Sequence, residues 1–194
     1  WQVRISVADI DADGPFSRYT GVERWFTVLQ GHGVELTIDG TMHRLVRGDL
    51  PLRFDGAAAA HVHLIDGATR DLNLMVRGAG GTMQCAADDD VWAPSAAGPC
   101  GLFSAVAGRC QADDWPAIEV PAFALLWFDA APASLTFSAA QAPVGPIGWW
   151  LAAALGWFAL RPAHLPPGSY ALGVLAWYGV GRSWLEVLRE KPDL

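Results

Sequence analysis

The chain has 194 residues, 52% of them hydrophobic, and its 13 basic and 20 acidic side chains give a net charge of −7. This length suffices for a domain with a buried core. The acidic balance, without a Lys/Arg-rich run, excludes nucleic-acid binding, which requires a basic surface to neutralise phosphates. The three cysteines (Cys85, Cys100 and Cys110) are an odd number without a CxxC spacing. They favour free thiols in a reducing compartment, so a cytoplasmic location is expected.

The first half of the chain is predicted to form short β-strands. Residues 1–7 alternate between apolar and polar side chains, the pattern of a half-buried strand. Further strands are predicted at residues 25–29, 34–38, 41–46, 61–65 and 71–76, with a short one inside 47–56. The dipeptide Asp39-Gly40 has the composition of a two-residue hairpin turn.

The second half is predicted to continue in strands after a break. Residues 78–99 are weakly patterned and are predicted to be a connector between two β halves. Strand patterns return at residues 101–106, 118–120, 124–128 and 134–137. Many short strands separated by turn residues indicate an all-β sandwich or barrel.

The character of the chain changes near its C-terminal end. No charged residue occurs from 130 to 160, and apolar residues in 165–190 have helical spacing, so a hydrophobic helical tail is predicted over residues 152–194. The uncharged run 165–181 has 17 residues, at the short limit for a membrane span. Membrane contact is therefore expected only through this tail, and a membrane-associated protein is an alternative interpretation.

Three segments of the first half carry a family resemblance. With "DGPFSRYTGVERWFTVLQGHGVELTIDG" (13–40), "LPLRFDG" (50–56) and "LIDGATRDLNLMVRG" (64–78), the chain resembles the HutD/Ves family over residues 1–151. The resemblance implies a double-lobed cupin, or bicupin, barrel. The opening segment usual in the family, of the type Trp-Lys-Asn-Gly-Gly-Gly, is absent, so we expect that the chain lacks the natural start of the domain.

The family resemblance also implies a function. These proteins are cytosolic, are associated with histidine utilisation, and are thought to bind a small carboxylate metabolite such as urocanate or formiminoglutamate. The implied role is regulatory rather than catalytic and needs no cofactor, and a homodimer is left open.

A second resemblance covers only the tail. Residues 165–190 are similar to the last transmembrane helix of prolipoprotein diacylglyceryl transferase, whose pattern is matched by Tyr178, Gly179, Arg182 and Glu186. The rest of that enzyme is absent, so transfer activity is not expected. A fused fragment, a misassembled reading frame and a chance resemblance all stay open.

The candidate anion anchors are Arg18 and Arg24. An arginine fork donates two parallel N–H bonds to a carboxylate, and the Ser17 hydroxyl lies beside it in the sequence. The alternative is an ordinary surface ion pair with Glu23 or Asp13.

Asp71 and Asn73 are two residues apart in a predicted strand and share one face. They are candidates to line the ligand pocket, and Asp71 is expected to pair with Arg24 and orient it. The alternative is that both residues cap backbone groups of neighbouring loops.

His61 and His63 also share a strand face and could chelate a metal between them. The nearest acid, Asp66, is expected on the opposite face, and the next histidine is His164 in the tail. A stable site needs three or four ligands. No metal is therefore expected, and a metal-dependent cupin enzyme using the two histidines is the alternative.

Overall fold

A computed structural model describes residues 1–78, 80–95, 98–113, 115–141, 145–154 and, for the backbone only, 170–174. The described residues contain β-strands and no helix. The strands in chain order are β1 Val3–Ile10, β2 Gly14–Pro15, β3 Val22–Gln30, β4 Val34–Ile38, β5 Thr41–Leu45, β6 Leu52–Asp55, β7 Ala60–Leu64, β8 Thr69–Arg77, β9 Gly81–Ala86, β10 Val91–Trp92, β11 Cys100–Ser104, β12 Gly108–Ala112, β13 Ile118–Val120, β14 Ala124–Phe128, β15 Leu135–Ala139, β16 Gly148–Ala153 and β17 Tyr170–Val174. The all-β prediction is confirmed.

Two predictions about strand content are wrong. The expected connector 78–99 contains β9 and β10, and the tail that was predicted to be helical contains β17, which pairs antiparallel with β14. In both places pairing with a distant strand overrides weak local patterning. The other tail residues, 155–169 and 175–194, lie outside the described residues. In the part of the chain that is described, no helix is long and apolar enough to cross a membrane.

The described residues fall into two compact units, divided between residues 83 and 84. The first unit has two antiparallel sheets, here called sheet A (order β1-β8-β3-β6) and sheet B (order β2-β7-β4-β5). One cluster of its buried apolar side chains has members from both sheets, including Phe26 and Val28 of sheet A and Val34, Leu36 and Val62 of sheet B. The described strands therefore form open, packed sheets and not the closed barrel that was predicted.

The hairpin between β4 and β5 agrees with the sequence prediction. Asp39 and Gly40 have φ angles of 46° and 85°, and Ile38 pairs with Thr41 across the turn. Positive φ at both central residues is the type I′ geometry, whose twist matches that of the flanking strands. This turn fixes the register of the β4–β5 pair, and a shift of that register by one residue would turn the buried side chains of β4 to the other face.

The second unit contains one sheet of order β10-β15-β12-β13 and another of order β17-β14-β11-β16-β9. Its core is apolar, with Phe128, Phe137 and the stacked rings of Trp92 and Trp150, whose centroids are 5.1 Å apart. No candidate site residue from the sequence lies in this unit.

Candidate ligand site

The register of sheet A collects polar side chains on the face that also carries its apolar core. Asp71, Asn73 and Met75 of β8 point to the same face because they are two residues apart. Arg4 on β1 and Arg24 on β3 both pair with Met75, so they flank β8 from opposite sides on this face. Three neighbouring strands therefore contribute charged groups to one area.

This area borders a cavity of about 240 Å³ in the first unit. Its wall is formed by strands β1, β3, β7 and β8 and by the segment that follows β1. The polar and aromatic lining residues are Arg4, Ser6, Asp9, Asp11, Phe16, Ser17, Tyr19, Arg24, Asp71 and Asn73.

Arg24, Asn73 and Asp71 form a buried hydrogen-bonded chain. Arg24 Nε donates to Asn73 Oδ1 at 2.8 Å, and Asn73 Nδ2 donates to Asp71 Oδ1. The three residues are 6%, 2% and 2% exposed. The expected link between Asp71 and Arg24 therefore runs through Asn73. Among the described residues, Asn73 is the only hydrogen-bond partner of Arg24, so Nη1 and Nη2 of this cavity-lining residue have no partner there.

Two aromatic rings hold the Arg24 guanidinium. Its Cζ lies 4.3 Å from the ring centre of Phe16 and 5.4 Å from that of Phe54. Phe54 is the register partner of Arg24 on β6, and Phe16 is fixed by its backbone N–H, which donates to the Ala60 carbonyl at 2.9 Å. Cation–π attraction offsets part of the desolvation cost of a buried charge.

Burial shifts the pKa of both charged members of the chain. The pKa of Asp71 is raised to about 7, chiefly by desolvation and against the attraction of Arg24. The pKa of Arg24 is lowered to about 10, also chiefly by desolvation and against the attraction of Asp71. Near neutral pH the arginine is therefore charged, and Asp71 lies close to the midpoint of its titration.

Two other charged groups at the cavity, Asp9 and Arg4, are held by specific partners. Arg70 donates from Nε and Nη2 to the Asp9 carboxylate at 2.6 and 3.0 Å, a two-point contact that raises the pKa of Arg70. Arg4 Nη1 donates to the Tyr19 hydroxyl at 3.3 Å. These contacts order the wall around the Arg24 chain.

The structure separates the two arginines that the sequence proposed together. Arg24 is buried at the cavity, whereas Arg18 is exposed and is not among the lining residues. Ser17 is exposed and lines the cavity. Glu23, the alternative partner for these arginines, accepts a bond from Arg53 at 2.6 Å on the other face of β3.

The two strand histidines point away from the cavity. His61 and His63 are exposed on β7, while Val62 between them is buried. His63 contacts the carboxylate of Asp13, whose pKa is lowered first by the Leu64 backbone N–H and then by His63. Within the described residues no three His, Cys, Asp or Glu side chains are grouped to hold a metal ion.

Sequence reasoning missed Arg4, Phe16, Tyr19 and Phe54. The sequence did contain a sign of Arg4, because Arg4 and Ser6 are polar residues on the same face of the alternating strand β1. The aromatic residues carried none, because their place beside Arg24 depends on long-range strand pairing.

Comparison with known proteins places the chain among bacterial relatives. The HutD family model matches residues 1–141. The uncharacterized 21.2 kDa protein in the hutC 3′ region of Pseudomonas putida is 40% identical over 72 residues, 37% of this chain and 38% of that protein. The matched part of the chain thus spans little more than a third of that relative.

Two solved structures share the fold. A conserved protein of unknown function from Pseudomonas aeruginosa has a TM-score of 0.69 at 24% identity, covering 80% of this chain and 85% of the other. HutD from Pseudomonas fluorescens, solved in a formate condition, has a TM-score of 0.62 at 25% identity, with 78% of each chain covered. These neighbours support a cupin-like β fold.

Proposed function

Because this chain belongs to the HutD family, which is associated with histidine utilisation, we propose that its first unit binds a small carboxylate metabolite and that the protein is a non-catalytic, cytoplasmic regulator of that pathway. Urocanate and formiminoglutamate are the candidate ligands. The observation that carries the proposal is Arg24, a buried guanidinium that lines the cavity and whose only hydrogen-bond partner among the described residues is Asn73, through Nε.

The chemistry of the cavity suits such a ligand. An arginine offers two parallel N–H donors that match the two oxygens of a carboxylate, and the contact is stronger where water is excluded. The cavity volume of about 240 Å³ lies below the range of about 300–1,000 Å³ typical of drug-sized ligands. The small volume and the guanidinium of Arg24 favour a small metabolite that carries a carboxylate.

The proposal assigns the anchoring role to Arg24 rather than to Arg18. Asn73 and Asp71 orient the anchor, and Ser17 lies at the cavity wall within reach of the ligand's polar groups. Regulation by this site requires that the ligand bind two states of the protein with different affinity, since equal binding shifts no equilibrium.

Isothermal titration calorimetry with urocanate and with formiminoglutamate tests the proposal. We expect a heat of binding with at least one of them, and a loss of at least about tenfold in affinity in an Arg24→Met variant, because one bidentate charged contact contributes roughly 1.5–3 kcal/mol. Arg44→Met, an exposed arginine on β5, is the matched control and should bind as the parent does.

Two results would overturn the proposal. One is the absence of any heat with both ligands, and the other is an Arg24→Met variant that is folded and binds with unchanged affinity. An Arg18→Met variant adds a separate measurement, in which we expect no more than a twofold change in affinity.

A further inference from the structure

We propose that Asp71 is a positioning residue whose protonation controls the anion site, so that a carboxylate binding to Arg24 is accompanied by uptake of one proton by Asp71. The inference rests on the proposed function and adds to it a dependence of affinity on pH.

The arrangement of the side chains couples anion binding at Arg24 to protonation of Asp71. Asn73 bridges Arg24 and Asp71, and all three side chains are nearly inaccessible to solvent. An ionised Asp71 and a bound carboxylate would both draw on the same guanidinium charge in a region where water screens little. Because one cation cannot stabilise two buried anions equally well, binding of the ligand favours the neutral form of Asp71.

The titration range of Asp71 makes this competition relevant near neutral pH. Its pKa is raised to about 7 by burial, with a further contribution from the charge of Asp9. A second anion close to Arg24 raises that pKa further. The free protein is then partly ionised at Asp71 in the range where the liganded protein holds the proton.

Strands β1 and β8 and the segment after β1 contribute other charged groups around Asp71. On β1 there are Arg4 and Asp9, and on β8 Arg70 holds Asp9 by two hydrogen bonds. The segment after β1 adds Asp11 at the cavity and Tyr19, whose hydroxyl accepts a bond from Arg4.

The remaining neighbouring elements add one further charge. On β3 the charged group on this face is Arg24 itself, and from β7 only the apolar Val62 lines the cavity, while His61 and His63 lie on its exposed side. Of the groups on the cavity face, Asp71 is the acid that shares a hydrogen-bonded chain with Arg24.

The test is calorimetry with glutarate, a simple dicarboxylate probe that is almost fully ionised at about pH 7 and above. Titrations at about pH 6, 7, 8 and 9 are made in two buffers that differ in ionisation enthalpy, and the difference in heat gives the number of protons taken up. For the unaltered chain we expect uptake approaching one proton at about pH 8, and a Kd that rises by up to about tenfold per pH unit above about pH 7.

Two variants test whether Asp71 is the residue that takes up the proton. Asp71→Asn should bind glutarate with no proton uptake and with a Kd that is flat over the same range. Asp11→Asn, which removes a different cavity acid, should keep the uptake of the unaltered chain. The two-buffer comparison on the unaltered chain keeps the test decisive if Asp71→Asn does not fold.

The failures are distinguishable. Binding of glutarate with a flat Kd and no buffer-dependent heat refutes the proton coupling and leaves the carboxylate site standing. Uptake that persists in a folded Asp71→Asn variant also refutes it. Absence of binding by glutarate, urocanate and formiminoglutamate at every pH refutes the proposed function itself, and the coupling with it.

Discussion

Replacing Asp71 by Asn should change how the stability of the protein depends on pH. Asp71 is buried, and its pKa is raised from 3.8 to about 7 in the folded chain. Between these values the folded state binds more protons at this residue than the unfolded state does. The free energy of unfolding therefore falls as pH rises through the window from about 4 to about 7, with a contribution of about 1.4 kcal/mol per pH unit at full effect.

The magnitude follows from the width of that window. A shift of about three units at about 1.4 kcal/mol each amounts to about 4 kcal/mol, a large part of the roughly 5–15 kcal/mol that stabilises a typical domain. The Asn variant keeps the shape of the side chain and cannot ionise. We expect it to match the parent at about pH 4 and to exceed it by up to about 4 kcal/mol at about pH 8, since the parent then holds a buried carboxylate.

Urea unfolding of both proteins at a series of pH values measures this difference directly. Taking the difference between variant and parent removes the contribution of carboxylates common to both, such as Asp13 and Asp113, whose pKa values are lowered and whose effect has the opposite sign. Parallel stability curves, or a parent more stable than the variant at about pH 8, would refute the reasoning.

Two further predictions concern the second unit and its thiols. Gly101→Ala should destabilise the protein by about 3 kcal/mol or more in urea unfolding, because the added Cβ would lie 2.2 Å from the Leu126 carbonyl oxygen in the adjacent strand; a change below about 1 kcal/mol would contradict this. Cys85 is half-buried, whereas Cys100 and Cys110 are buried with pKa values raised to about 12. In native protein a thiol reagent should therefore modify Cys85 first, and mass spectrometry showing equal labelling of all three would count against the described packing.

The sequence predicted those parts of the fold that local chemistry determines. The bounds of β4, β13 and β14 and the turn at Asp39-Gly40 are as predicted, because alternation and turn residues act over a few positions. Strand β12, "GRCQA", was missed. It has little intrinsic strand character and is defined by its pairing with β13 on one side and β15 on the other.

The candidate site also has one part that the sequence predicts and another part that depends on long-range strand pairing. The shared face of Asp71 and Asn73 follows from the two-residue period of a strand, and both line the cavity. The sequence could not predict that Arg24 lines the cavity and Arg18 does not. The burial of Arg24 depends on which strands pair with β3. The position of Phe54 beside Arg24 likewise depends on the register in which β6 pairs with β3.

The contacts of Phe16 and Phe54 with the Arg24 guanidinium affect how tightly and how fast Arg24 can bind a carboxylate. An exposed arginine that orders itself around a ligand loses up to about 2 kcal/mol of rotamer entropy at that moment. Arg24 has already lost this freedom when the chain folds, since its Cζ is held 4.3 Å from the ring of Phe16. The same carboxylate contact is therefore tighter at Arg24 than at an arginine that has to be ordered on binding by up to roughly thirtyfold. The Arg24 side chain does not have to rearrange before the carboxylate binds.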